Sequence, residues 1–363
     1  KIIPINMLRW ILFTYLSYVF FLIGFKKISK FVLGDLYNIY KDSQYILDIT
    51  GISFCDKQGP LTPIKHFAWI IPSIVCENNE SYVKLSQAVG PFYNVFNRTI
   101  ARHAFNKIMH LRARGKSSLK NVLSLSSGLT NKDFIYAPDL SFLLEPCSKK
   151  DAVALLKDGG INFSNKKKYF GFCPNLIQLN LLGQKNTNEL YKEIVNTLDY
   201  IISLGYNLIF IPHSFSDHKS EIDEKRLFGL SKMTLNDSIF INEVYKRLVN
   251  KKKSQIINKE INAFQLKGIF KLMNFNITMR FHSMIGSLGS GVSCFVIGWS
   301  HKYLEVMDEF LLSKYVIDSK TFSYQKHKKL IHDFIKNHKK NNESVENDLK
   351  SIKKLAEKNF DFI

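Results

Sequence analysis

The segment from Thr278 to Lys302 (TMRFHSMIGSLGSGVSCFVIGWSHK) holds the densest set of side chains that could do chemistry. Residues 275–279 read as a strand, and Arg280-Phe281-His282 come directly after it. A helix of small residues is next (Ser283, Gly286, Ser287, Gly289, Ser290) and Gly291 stops it. A second strand over 293–297 ends in Trp299-Ser300-His301-Lys302. This order puts Arg280 and His282 at a helix start, where unpaired N–H groups and the positive dipole end favour an anion. A guanidinium offers a planar fork for carboxylate or phosphate. Histidine can hand over a proton near neutral pH. Lys302 adds a second positive charge from the next strand end. The same residues also suit a capped helix with solvated Arg and His, and residue types alone do not separate the two.

The elements that must position these groups alternate in type. Strand-like runs fall at 43–49, 82–88, 107–112, 134–137, 169–173, 207–211 and 254–257, with helix-like segments between several of them. Residues 69–75 read as a helix or loop broken by Pro72. Leu190, Ile194, Leu198 and Ile201 share one face of a helix over 187–204 that Gly205 ends. Strand-helix alternation implies parallel sheets. The expected fold is α/β, with two Rossmann-like doubly wound domains facing a cleft. An N-terminal domain is expected over 1–165, a C-terminal one over 166–325, and a lysine-rich helical tail over 326–363. In such sheets ligands bind outside the carboxyl ends of strands, so the site is expected in the cleft.

Composition narrows the classes. Of 363 residues 45% are hydrophobic and 23% charged, which excludes a disordered or collagen-like chain. Lys and Arg exceed Asp and Glu by 51 to 31, a net +20 that suits an anionic partner without choosing among small phosphates, lipid headgroups and nucleic acid. The five cysteines are scattered and form no C-x-x-C, so neither a zinc site nor a disulfide framework is expected. The run from Met7 to Phe25 is the most apolar, flanked by Arg9 and by Lys26, Lys27 and Lys30. A helix packed on the protein or lying at a membrane surface, a spanning helix and a signal segment are all compatible with it, the first being favoured. Lys251–Lys253 and the tail lysines read as solvated faces. As a patch each could add about 1 kcal/mol of attraction to an anionic membrane.

With these residues in view, the chain resembles the polysaccharide pyruvyl transferase family. Arg280-x-His282, the small residues after it and the aromatic-x-x-Lys of Trp299 and Lys302 look like the family's C-terminal signature. Pro212-His213-Ser214 with Asp217 resembles its strand ending in Pro-His. Ser86 to Phe92 (SQAVGPF) resembles its turn containing Gly90-Pro91. Arg114 to Ser118 and Ala137-Pro138-Asp139-Leu140 resemble its motifs at the end of the first half. The likeness runs in family order over roughly residues 40–320. The family's glycine-rich N-terminal loop is not seen, and the resemblance places it ahead of Lys1. Trp299 stands where the family has Tyr, and Thr50-Gly51 where it has Gly-Gly.

The resemblance implies a glycosyltransferase B-like architecture and transfer of pyruvyl from phosphoenolpyruvate to two hydroxyls of a sugar in a cell-surface polysaccharide or its lipid-linked precursor. A ketal forms and phosphate leaves. It implies Arg280 for the donor's anionic groups and His282 for donor contact or proton transfer. Lys302, Arg114 and Ser283 become further donor contacts, and His213 a second proton carrier or hydrogen-bond donor. Gly90, Pro91, Asp139, Ser214 and Trp299 are expected to line the cleft. No cofactor, metal or nucleic acid is expected. The compartment implied is the cytoplasm, at the inner face of the membrane. Three other readings stay open: a nucleotide-sugar glycosyltransferase on the same scaffold, a basic nucleic-acid-binding protein, and an inactive family member.

Overall fold

A computed structural model describes all residues except 1–5, 57, 58, 60, 126, 130, 131, 177, 179–183, 215–235, 299 and 300, and all their side chains except those of 127, 184–186 and 301. Asp217 and Trp299 therefore lie outside the described residues.

Two compact units divide the chain. The first comprises Lys1–Leu140 with Lys354–Ile363, the second Ser141–Lys353. The boundary expected near 165 thus falls earlier, because residues 141–165 pack with the second sheet's helices. Helix α7 (Lys149–Asp158) buries Ala152 and Leu156. The amide of Cys147 donates to the carbonyl of Phe264 at 3.1 Å, and Gly268 lies so close that a side chain there would meet Cys147 and Ala152. Nor is the lysine-rich end a separate tail. Its helix, Tyr324–Glu357, buries Ile331, Phe334 and Ile335, and the Phe334 ring meets Phe275 edge-on at 5.5 Å. Alternating lysine and apolar residues hid this face in composition; their helical spacing makes it.

In the first unit, three helices lead into the sheet: α1 (Met7–Leu22), α2 (Lys26–Leu33) and α3 (Asp35–Asp42). Asn6 caps α1 by accepting from the amides of Leu8 and Arg9. The strands β1 (Ile46–Asp48), β3 (Tyr82–Val89), β4 (His110–Ala113) and β5 (Asp133–Tyr136) lie side by side in that order, all parallel. The short β2 (Ile52–Ser53) pairs further along β3. Helices α4 (Thr62–Val75), α5 (Val95–Lys107) and α6 (Lys116–Leu123) make the crossovers. Pro72 does not break α4, which continues through it to Val75.

The second unit carries a six-stranded parallel sheet in the order β11-β10-β9-β6-β7-β8. These are Val316–Asp318, Cys294–Gly298, Phe275–Thr278, Tyr169–Cys173, Asn207–Phe210 and Ser254–Ile256, in that order. Residues 169–173, 275–278 and 294–298 are buried throughout, as strands covered on both faces require. The chain leaves β6 toward β7 and β8, then returns to the other side of β6 as β9. The carboxyl ends of β6 and β9 therefore flank a reversal of strand order, the place where open α/β sheets bind ligands. Helices α8 (Gln184–Ser203), α9 (Asp237–Arg247), α10 (Ala263–Lys271), α11 (Phe281–Leu288), α12 (His301–Glu309) and α13 (Tyr324–Glu357) complete the unit among the described residues.

Candidate active site

In the second unit the residues singled out by type gather at that reversal. β9 ends at Thr278, whose hydroxyl accepts from the Arg280 amide at 3.1 Å and donates to the Arg280 carbonyl at 3.1 Å. This local loop turns the chain into α11 with Arg280 as its N-cap residue. The Tyr303 hydroxyl and the Asn175 amide both donate to the Met279 carbonyl, at 3.0 and 3.3 Å, which fixes the junction from two sides. Arg280 Nη2 then reaches Asp237 Oδ1 at 2.7 Å.

Asp237 is fully buried and joins three strand ends. Its Oδ1 also accepts from the amide of Leu176, beyond β6, at 3.3 Å. Its Oδ2 accepts from the amides of His213 and Ser214, beyond β7, at 3.2 and 2.9 Å. It opens α9 behind the cap Asn236, so the helix dipole favours its negative charge. The carboxylate is satisfied on both oxygens while neutralising part of the Arg280 charge. Arg280 Nε is buried with no hydrogen-bond partner among the described residues, as is His213 Nδ1.

The two histidines lie together. The His213 and His282 rings are nearly parallel, their centroids 6.3 Å apart. Burial, the Arg280 charge and His282 push His213 down to about 3. At neutral pH it is a neutral imidazole, with one ring nitrogen to donate a hydrogen bond and one to accept. His282 is exposed beside it. Ser283 is buried beside the thiol of Cys173 at the end of β6, and burial pushes that thiol up. Lys302 Nζ sits over the Phe281 ring, 4.8 Å from its centroid. The second unit thus brings together His213, Ser214, Arg280 and His282, with Lys302 over the ring of the intervening Phe281.

Arg114, Asp139, Gly90 and Pro91 belong to the first unit. Arg114 Nη1 pairs with Asp139 Oδ2 at 3.0 Å, both side chains nearly buried. Gly90 ends β3 at φ +76°, and a β-carbon there would meet Asn121 Nδ2 at 2.9 Å; the Gly90-Pro91 peptide is cis. Asn121 in turn donates to the Val89 carbonyl, and Ser118 accepts from the Val89 amide at 3.1 Å. These contacts collect the motifs at the carboxyl edge of the first sheet.

Sequence reasoning missed Asp237. Its signal was modest: an Asn-Asp-Ser helix start. It also missed a buried pair inside the first sheet, where Lys84 Nζ meets Asp48 Oδ2 at 2.5 Å. Lys84 holds the Asp48 carboxyl well below the usual carboxylate range despite burial. Tyr82 donates to the same oxygen at 2.9 Å. Among the described residues no three His, Cys, Asp or Glu side chains are placed to hold a metal ion.

The sequence matches the family described as polysaccharide pyruvyl transferase over residues 13–301. No curated protein matches it. Among solved structures, Anabaena HepE in complex with UDP-glucose is similar at 13% identity and TM-score 0.50, covering 91% of this chain and 78% of that one. A putative UDP-N-acetylglucosamine 2-epimerase from Listeria monocytogenes is similar at 10% identity and TM-score 0.50, covering 86% and 73%. At such identities the likeness shows the fold alone: α/β, with two parallel sheets, of the glycosyltransferase B type.

Proposed function

The chain belongs to the polysaccharide pyruvyl transferase family, and from that premise we propose that it moves pyruvyl from phosphoenolpyruvate to two hydroxyls of a sugar. The observation that carries this reading is Arg280. Its guanidinium is oriented by buried Asp237 at the reversal of strand order, and its Nε has no partner among the described residues. A donor bearing both carboxylate and phosphate needs a fixed cation of this kind, set at a helix start.

In the proposed reaction the methylene carbon of the donor gains a proton and its central carbon becomes electron-poor. One sugar hydroxyl oxygen bonds to that carbon. A second hydroxyl oxygen then bonds to it as the carbon–oxygen bond to phosphate breaks. Of the two hydroxyl protons, one matches the proton now on the methyl group and the other leaves with phosphate, so no net acid is consumed. His282, exposed beside Arg280, is the proton carrier in this scheme. Neutral His213 orients donor or acceptor by hydrogen bonding, and Lys302 adds positive charge as phosphate departs. Arg114, held by Asp139, contributes to the first unit's strand-end cluster.

The test is phosphate release from phosphoenolpyruvate with a panel of nitrophenyl and lipid-linked sugars. Arg280→Ala and His282→Ala should each lower turnover by roughly a hundredfold or more. Wild-type rates in both variants would remove the site from the reaction. Nucleotide release from a nucleotide sugar, with no phosphate from phosphoenolpyruvate, would favour glycosyl transfer instead.

A further inference from the structure

Helix α1 is inverted for a helix that meets water. Its polar residues Thr14 and Ser17 face into the first unit beside Trp10 and Tyr18. The Thr14 hydroxyl donates to the Trp10 carbonyl at 2.8 Å. Ser17 Oγ donates to the Ser29 carbonyl at 2.9 Å, and Ser29 Oγ returns a bond to the Ser17 carbonyl at 2.7 Å. The opposite face carries Leu8, Leu12, Leu16, Val19 and Ile23, spaced by three or four residues and all exposed, Leu8 at 77%. Phe25, Ile28 and Phe31 add exposed apolar side chains before and along α2, with Phe31 85% exposed. A row of large apolar side chains all exposed along one helix face marks a docking surface.

Charge selects the occupant. Between Met7 and Gly34 stand Arg9, Lys26, Lys27 and Lys30, all exposed, and no Asp or Glu. Lys26 also reaches Glu77, and Lys30 lies over the Tyr37 ring. A second copy of this chain set face to face would bring the same cations together. An anionic headgroup layer satisfies them while its acyl region takes the aliphatic stripe. At 16 residues α1 rises about 24 Å, short of the ~30 Å hydrocarbon core. No helix among the described residues is long and apolar enough to cross a membrane.

We propose that α1 and α2 dock the protein in the plane of an anionic lipid surface. The surface stands independently of the donor chemistry at Arg280.

Co-sedimentation of the chain with vesicles tests it, using phosphatidylcholine alone and phosphatidylcholine mixed with phosphatidylglycerol. Binding to the mixed vesicles is expected, and Leu12→Glu/Leu16→Glu should weaken it at least tenfold. Each of Lys26→Gln, Lys27→Gln and Lys30→Gln should weaken it about fivefold. The lysine variants keep the test decisive if the double variant misfolds by circular dichroism. Failure to bind mixed vesicles, or equal binding by wild type and lysine variants, overturns the proposal. So does a wild-type dimer that Leu12→Glu/Leu16→Glu converts to monomer, which would assign the face to a second copy.

Discussion

Asp237 Oδ1 lies 2.7 Å from Arg280 Nη2, while its Oδ2 accepts the amides of His213 and Ser214. One buried carboxylate therefore sets a guanidinium and two strand-end loops at the same place. Asp237→Ala leaves Arg280, only 12% exposed, without its counter-ion. A loss of about 3–5 kcal/mol of stability is expected in urea unfolding. Asp237→Asn keeps hydrogen-bonding capacity and should cost less. Both should lower phosphoenolpyruvate turnover, since a guanidinium displaced by an ångström costs about a hundredfold. Undiminished turnover in a folded Asp237→Asn would show that the pair orients nothing.

The strand-to-helix placement of Arg280 and His282 was legible because it is local: a buried strand, two residues, and a helix of small side chains. Asp237 was not, because its meaning comes from Leu176, His213, Ser214 and Arg280, whose amides and side chains meet only when three strands lie side by side. The same holds for Lys84, to which Asp48 is brought only when β1 pairs with β3. The parallel sheets were legible from alternation. The boundary near 165 did not hold, because a charged linker-like run (Ser164–Lys168) says nothing about where α7 packs. The inversion of α1 was hidden by its overall apolarity, since burial of Thr14 and Ser17 depends on α2 returning Ser29 to them.

His213 and His66 are both held neutral, each pushed down to about 3, mainly by burial, with Arg280 and Lys84 respectively adding to the effect. The unfolded chain takes up a proton on each near 6.5, which the folded chain refuses until about 3. Their contribution is complete above pH 6.5 and is lost as pH falls toward 3. Urea midpoints from pH 7 to 4 should fall, and His66→Phe should flatten the slope by one proton. A slope unchanged in that variant would place His66 outside the linkage.

The Lys84–Asp48 pair predicts strong non-additivity. Lys84→Met leaves a buried carboxylate with Tyr82 and the Thr50 amide but no cation, at a cost of about 3–5 kcal/mol. Adding Asp48→Asn removes the unpaired charge and should recover part of that loss. Denaturant melts of the single and double variants decide this, and a double variant no more stable than Lys84→Met would rule out the charge as the cause.

Arg114 repeats on the first sheet what Arg280 does on the second. Each comes after a strand, stands at the start of a helix, and is held by a nearly or fully buried aspartate. Gly51 approaches Arg114 Nη1 to within 3.7 Å of where a β-carbon would stand, so the guanidinium is enclosed by backbone as well as by Asp139. Either single variant breaks the ion pair, and the second change then has no pair left to break. Arg114→Ala and Asp139→Ala should therefore each cost about 3 kcal/mol, with a double-variant loss about 1–3 kcal/mol smaller than the sum. Chemical denaturation of all four proteins supplies the cycle. Additive losses would mean that the 3.0 Å contact contributes no coupling, and that Arg114 is held by the loop around it rather than by Asp139.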